Sequence, residues 1–171
     1  MKEVTPKSFD SAVAQYIATV QLSLARASGS KALKTYVEHK IDLSNIRTAL
    51  RNADDLIEGG SIPPAALTKG VPGIVSAINR STLPYELAEN VRKAVGDSNA
   101  VEHALSKVTA DDIAHMWNVP LSIEPVFAFA ALAQSQMRLL RVLLIGKRAN
   151  MSPQEIKLML PPFLSASHYV L

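Results

Sequence analysis

Apolar positions recur along this chain at three- and four-residue spacing from one end to the other, the signature of helices that each lay one stripe against a neighbour. In residues 8–27, Val13, Tyr16, Ile17, Val20 and Leu24 share a stripe, which predicts a helix that packs by that face and stops at Ser28-Gly29. A longer helix is predicted over 30–57, with Leu33, Tyr36, Val37, Ile41 and Leu50 inward and Gly59-Gly60 as its stop. Pro64, Pro72 and Pro84 each precede an apolar-periodic stretch. Proline suits a first helical turn, so short helices are expected near 63–69, 72–80 and 83–95. Asp97-Ser98-Asn99 is the expected cap of a helix carrying Val101, Leu105 and Val108. Thr109 with Asp112 suggests a reciprocal cap for a turn leading to Trp117, and Asn118-Val119-Pro120 breaks the run. Ser122 is the expected cap of a long helix reaching Lys147. Ser152-Pro153-Gln154-Glu155 supplies cap, first-turn proline and acidic third residue for a last helix that ends at Pro161-Pro162. No alternating strand pattern of useful length occurs, so the expected fold class is all-α.

Composition narrows what such a helical chain can do. The 171 residues are 48% apolar and contain no cysteine, which excludes a disulfide scaffold, a thiol nucleophile and thiolate zinc sites. The net charge of +3 is too small to imply a polyanion partner by itself. The mixed-charge start Met1-Lys2-Glu3-Val4-Thr5-Pro6-Lys7 has no apolar stretch behind it and does not read as a signal peptide, so an intracellular chain is expected. Val126 to Ile145 has the length of a membrane span but includes Arg138 and Arg141. Each would cost about 2.5–3.5 kcal/mol near the bilayer centre, and the expectation is a soluble, deeply buried helix instead.

The chain also repeats. A shift of 94 residues lays Asp42-Leu43-Ser44-Asn45-Ile46-Arg47-Thr48-Ala49-Leu50 over Gln136-Met137-Arg138-Leu139-Leu140-Arg141-Val142-Leu143-Leu144, with Arg47 on Arg141. Each segment is followed by a break and a similar restart, Ile62-Pro63-Pro64-Ala65-Ala66-Leu67 against Met151-Ser152-Pro153-Gln154-Glu155-Ile156. This predicts two stacked multi-helix modules, their long helices joined by short Pro/Gly-rich turns. Residues 1–60 would form a partial module ending in a long helix, and 61–171 a second module with its own long helix and a short terminal one.

Tyr36-Val37-Glu38-His39-Lys40-Ile41-Asp42-Leu43-Ser44-Asn45-Ile46-Arg47 resembles the "aspartate, then asparagine–aliphatic–arginine" helix of the C subunit of archaeal and vacuolar-type rotary ATPases, called subunit d in eukaryotes. Leu139 to Arg148 followed by Met151 to Ile156 is similar to that family's "leucine–arginine, aliphatic run, glycine–lysine, then Ser-Pro-Glu-Glu-Ile" ending, and Tyr85 to Ala88 and Val101 to Leu105 stand where it has two further helices. The resemblance covers about 9–160. It departs at Gln134, Gln136 and Leu139, where the family has two acids and an asparagine. Members typically hold three modules, so this chain resembles a partial or reduced version. The resemblance implies a non-catalytic central-stalk socket, peripheral to a membrane complex, that links rotor-shaft subunits to the proteolipid ring and couples ion or proton transport to ATP turnover. It implies no cofactor and no small-molecule substrate.

The candidate interface residues are Asp42, Asn45, Arg47, Arg51, Arg138, Arg141, Lys147 and Arg148. Arginine suits crowded contacts because its planar fork bonds carboxylates or helix-end carbonyls; a solvated helix face is the plain alternative. From Val126 onward, Arg138, Arg141, Lys147, Arg148 and Lys157 face one acid, Glu155, a basic region that points to a partner surface or to cations at helix ends. His39, His103, His115 and His168 lack the spacing of a helical metal pair and read as structural or exposed. Asp111-Asp112 reads as helix-start chemistry. Gly59-Gly60 and Gly146-Lys147 are not phosphate loops, and Ser76 lacks a nucleophile elbow, so no enzyme is expected. The rival is a helical nucleic-acid-binding or regulatory module reading with the 152–160 helix, although nucleic acid is the less expected partner.

Overall fold

The structure is a computed structural model that describes residues 6–53 and 55–160. The expectations at Met1 to Thr5, at Pro161-Pro162 and at His168 lie outside those residues. The described chain is all-α: α1 (Pro6–Ala27), α2 (Lys31–Leu50), α3 (Pro64–Leu67), α4 (Gly70–Asn79), α5 (Tyr85–Ala94), α6 (Ser98–Trp117), α7 (Glu124–Arg148) and α8 (Pro153–Met159). Contacts divide it into two compact units, Met1–Lys93 and Ala94–Leu171. That division falls at the end of α5, whereas the repeat suggests modules meeting at 60/61.

In the first unit α1 and α2 form a helical hairpin. Gly29 takes φ 71° in the connection, and Ser30 caps α2 by accepting the Leu33 N–H at 3.0 Å. The face of α1 that is buried is not the stripe predicted from the spacing of large residues. Ala18, Leu22 and Ala25 are buried. Val13, Tyr16, Ile17, Val20 and Leu24 are exposed, with Tyr16 at 71% and Leu24 at 64%. Two alanines and Leu22 seal the hairpin, while the larger residues of the predicted stripe are left outside. From α2, Leu33, Val37, Ile41, Leu43 and Ile46 enter the core, joined by Ile62, Leu67, Ile74 and Ile78 as α3 and α4 pack on α2.

Both long helices stop in the same way. Asn52 follows α2 with φ 55°, its N–H donating to Ala49 O (3.0 Å) while the Ala53 N–H donates to Thr48 O (3.1 Å). Asn150 follows α7 with φ 54°, donating to Lys147 O (3.1 Å) while the Met151 N–H donates to Gly146 O (3.0 Å). This paired bonding around a left-handed residue is the Schellman stop, with asparagine in the place glycine usually takes. It ends α2 at Leu50, short of the expected Ile57 and well before Gly59-Gly60.

In the second unit α6 packs on α7, and α8 packs back on α7. Asp97 caps α6 through the Asn99 and Ala100 N–H groups (2.9 and 3.1 Å), and the helix then runs unbroken through Thr109 and Asp112 to Trp117. The expected second cap is therefore not used. Ser122 does not cap α7 either, because its hydroxyl donates to Val119 O (3.0 Å) and the helix starts after Ile123 with no side-chain cap. Ser152 does form the predicted capping box, its hydroxyl accepting the Glu155 N–H (3.3 Å) and Glu155 accepting the Ser152 N–H (2.7 Å). Ile156 then lies against Gly146, where a Cβ would come within 2.7 Å of its Cγ1.

α7 is long and apolar enough to cross a membrane by length and composition, yet only 6% of its most apolar window is buried. The deeply buried helix expected from its leucines is thus not found. Ala128 and Gly146 mark the packed side. On the other, Val126, Phe129, Met137, Leu140 and Leu144 are each more than half exposed.

Candidate partner interface

Asp42 and Asn45, expected at an interface, are 0% and 1% exposed, and their polar atoms are engaged inside the first unit. Asp42 Oδ2 accepts the Ser61 N–H at 3.0 Å and the Ser61 hydroxyl at 2.6 Å, and Oδ1 accepts the Ile62 N–H at 3.0 Å. Asn45 Nδ2 donates to Ile57 O at 2.7 Å while its Oδ1 accepts the Ile57 N–H at 2.8 Å. Gln15 on α1 treats the next residue alike, donating to Glu58 O (3.3 Å) and accepting the Glu58 N–H (2.8 Å). Three side chains from the hairpin thus hold the 57–62 segment, pairing with its backbone groups as it runs half-buried against α1 and α2 and enters the core at Ile62. These two residues belong to a structural clamp, which corrects their assignment as surface contacts.

The clamp sets the chemistry of Asp42. Burial penalises the carboxylate and pushes its pKa above the usual aspartate range, against the opposing pull of the Ser61 hydroxyl, the Ile62 and Ser61 N–H groups and nearby His39. His39 is itself buried, with Nε2 3.1 Å from Thr82 Oγ1, as a structural histidine. Gly59 has φ 113°, and any Cβ on Gly60 would collide with Asp42 Oδ1, so both glycines are required by the path of the clamped segment.

The arginines sit differently. Arg47 is half-buried in the last turn of α2, and Arg51 is exposed just after it. Arg138, Arg141, Lys147 and Arg148 are exposed on α7, the last two in its final turn, where cations complement the helix dipole. The repeat therefore carries the stop and the short return helix into the second unit but not the clamp, because Gln136 and Leu139 stand where Asp42 and Asn45 would. Gln15 and the Ser61 hydroxyl, which complete the clamp, had no local signal in the sequence, since their partners, the Glu58 backbone and the Asp42 carboxylate, are distant along the chain.

Among the described residues, α1 and α7 each leave a broad apolar face exposed. On α1, Phe9, Val13, Tyr16, Ile17, Val20 and Leu24 are exposed, and Asp10 is the one charged residue between Phe9 and Leu24. On α7 the exposed apolar residues are interleaved with arginine. Such contiguous apolar surface marks contact with another molecule. Among the described residues no cluster of three or more histidines and acids could hold a metal ion.

A family model described as ATP synthase (C/AC39) subunit matches residues 3–159. No curated protein and no solved structure matches the chain. The order of its helical motifs, its all-α architecture and a family match over most of its length lead to one conclusion: the chain belongs to the C/AC39 family of V/A-type ATPase subunits.

Proposed function

We propose that this protein is a non-catalytic coupling subunit of a V/A-type ATPase or ATP synthase, joining the rotor shaft to the membrane proteolipid ring at the periphery of the complex, on its cytoplasmic side. The observation that carries this reading, beside the family, is the broad apolar face of α1, with Asp10 the one charge between Phe9 and Leu24. A part that passes torque needs stiff helices and wide contact surfaces, because load is carried by packing over area. Six large residues along α1, flanked by a hairpin pinned through the 57–62 clamp, form such a surface. In this reading Arg47, Arg51, Arg138, Arg141, Lys147 and Arg148 remain the candidate polar contacts, and 1–60 and 61–171 remain the proposed helical modules.

The test is co-purification from detergent-solubilised membranes of the native organism. The tagged chain should bring down both head and ring subunits, and Tyr16→Asp should weaken recovery without loss of helicity. Recovery of neither set of subunits would overturn the proposal.

A further inference from the structure

The exposed side of α7 differs from that of α1 in one respect that decides its partner. At 100° per residue, Val126, Phe129, Met137, Leu140 and Leu144 fall on one stripe of a helix of 25 residues, about 37 Å long. Arg141 borders that stripe, Arg138 lies one step further round, and Lys147 and Arg148 close its carboxyl end. From Val126 to Leu160 the single acid is Glu155, which is tied into the α8 capping box.

We infer that α7 lies along an anionic phospholipid surface, its apolar stripe set among the upper acyl chains and its arginines reaching back to the phosphates. An apolar face edged by long cations is the arrangement of helices that rest in a membrane interface. Arginine beside leucine is costly in a dry protein contact unless a carboxylate meets it, whereas at a bilayer its stem lies along the apolar layer while its head stays with phosphate and water. A second copy of the chain is disfavoured as occupant by the same charges, which would face each other. A membrane-spanning placement is disfavoured by Arg138 and Arg141 within the apolar run and by the packing of α6 and α8 on the opposite side.

Flotation of the full chain with protein-free vesicles tests this separately from the coupling function, because no other ATPase subunit is present. Binding is expected to phosphatidylcholine–phosphatidylglycerol vesicles at low salt, with little to phosphatidylcholine alone, and should decline as salt rises. Replacing both arginines (Arg138→Gln with Arg141→Gln) should weaken binding on the order of thirtyfold. Leu140→Ser with Leu144→Ser should also weaken it, while Tyr16→Ser on α1 should not; circular dichroism checks that each variant keeps its helices. Failure to bind mixed vesicles, equal binding to neutral ones, or indifference to the α7 changes would overturn the inference. So would capture of an acidic amphipathic peptide by α7 in place of vesicles, which would assign the face to a protein helix.

Discussion

Asp42 gathers four donor and charge interactions in a buried place, and the consequences of altering it follow from that geometry. Asp42→Ala leaves the Ser61 and Ile62 N–H groups without an acceptor, and a stranded buried donor costs about 1–3 kcal/mol. Chemical denaturation should show a loss of that order for each donor. Asp42→Asn keeps the volume but turns an amide N–H toward the Ser61 N–H, so it should fall between Ala and the native residue. The pH dependence has a definite sign. Because the folded-state pKa is raised, the folded protein holds this proton more tightly, so the contribution of Asp42 favours folding below the ordinary aspartate pKa and is lost as pH rises through the raised value. The stability of the native chain relative to Asp42→Asn should therefore shrink across that window in a pH series of denaturation curves. Gly60→Ala should be as damaging as Asp42→Ala, since its Cβ would occupy the space of the carboxylate.

At the scale of elements, α8 is held by a cap and by one close contact. Ser152→Ala removes the capping box and should cost about 1 kcal/mol of local stability, seen as faster amide exchange in α8. Glu155 is held below the usual carboxylate range by the Ser152 N–H and hydroxyl. Its contribution is present above the ordinary glutamate pKa and is lost as pH falls through the depressed value, the opposite sign to Asp42. Gly146→Ala places a methyl group against Ile156, and overpacking of this kind costs about 1–3 kcal/mol, so limited proteolysis should release α8 more readily. Helix existence was legible in the sequence almost throughout, and the α8 start was legible to the residue because all its partners lie within one turn. The α2 end was not. Asn52 in a left-handed conformation gives a weaker signal than glycine, and Ile57 is held outside the helix by Asn45, a distant partner. Nor could spacing decide which side of α1 faces inward, because that helix is apolar on two sides and small residues won the interior.

For the whole molecule, each compact unit carries its own set of fully buried residues, Leu43, Ile46 and Ile78 in one and Leu105 and Met116 in the other. Damage to the clamp should therefore stay local. In hydrogen exchange, Asp42→Ala should lower protection across α1 to α4 and leave α6 to α8 near the native pattern; a uniform loss across both units would show that they unfold as one. The candidate interface was only partly readable for the same reason that the clamp was hidden. The resemblance and the repeat pointed to Asp42, Asn45 and the arginines as one group of polar residues, most of them on long helices. Burial then separates them, since the two acceptor-rich side chains complete the first unit from within while the exposed arginines remain outside.

The way Gln15 and Asn45 grip the 57–62 segment bears on how this chain can change over time. Each amide reads only the peptide group of the residue it holds, through one N–H and one C=O, and is blind to what that residue carries. Glu58→Lys should consequently leave the melting transition almost unmoved, although Glu58 sits within the clamp. The path of the segment is inherited through two glycines and three side chains elsewhere, leaving the charge presented at position 58 open to drift, and with it the character of whatever meets that surface.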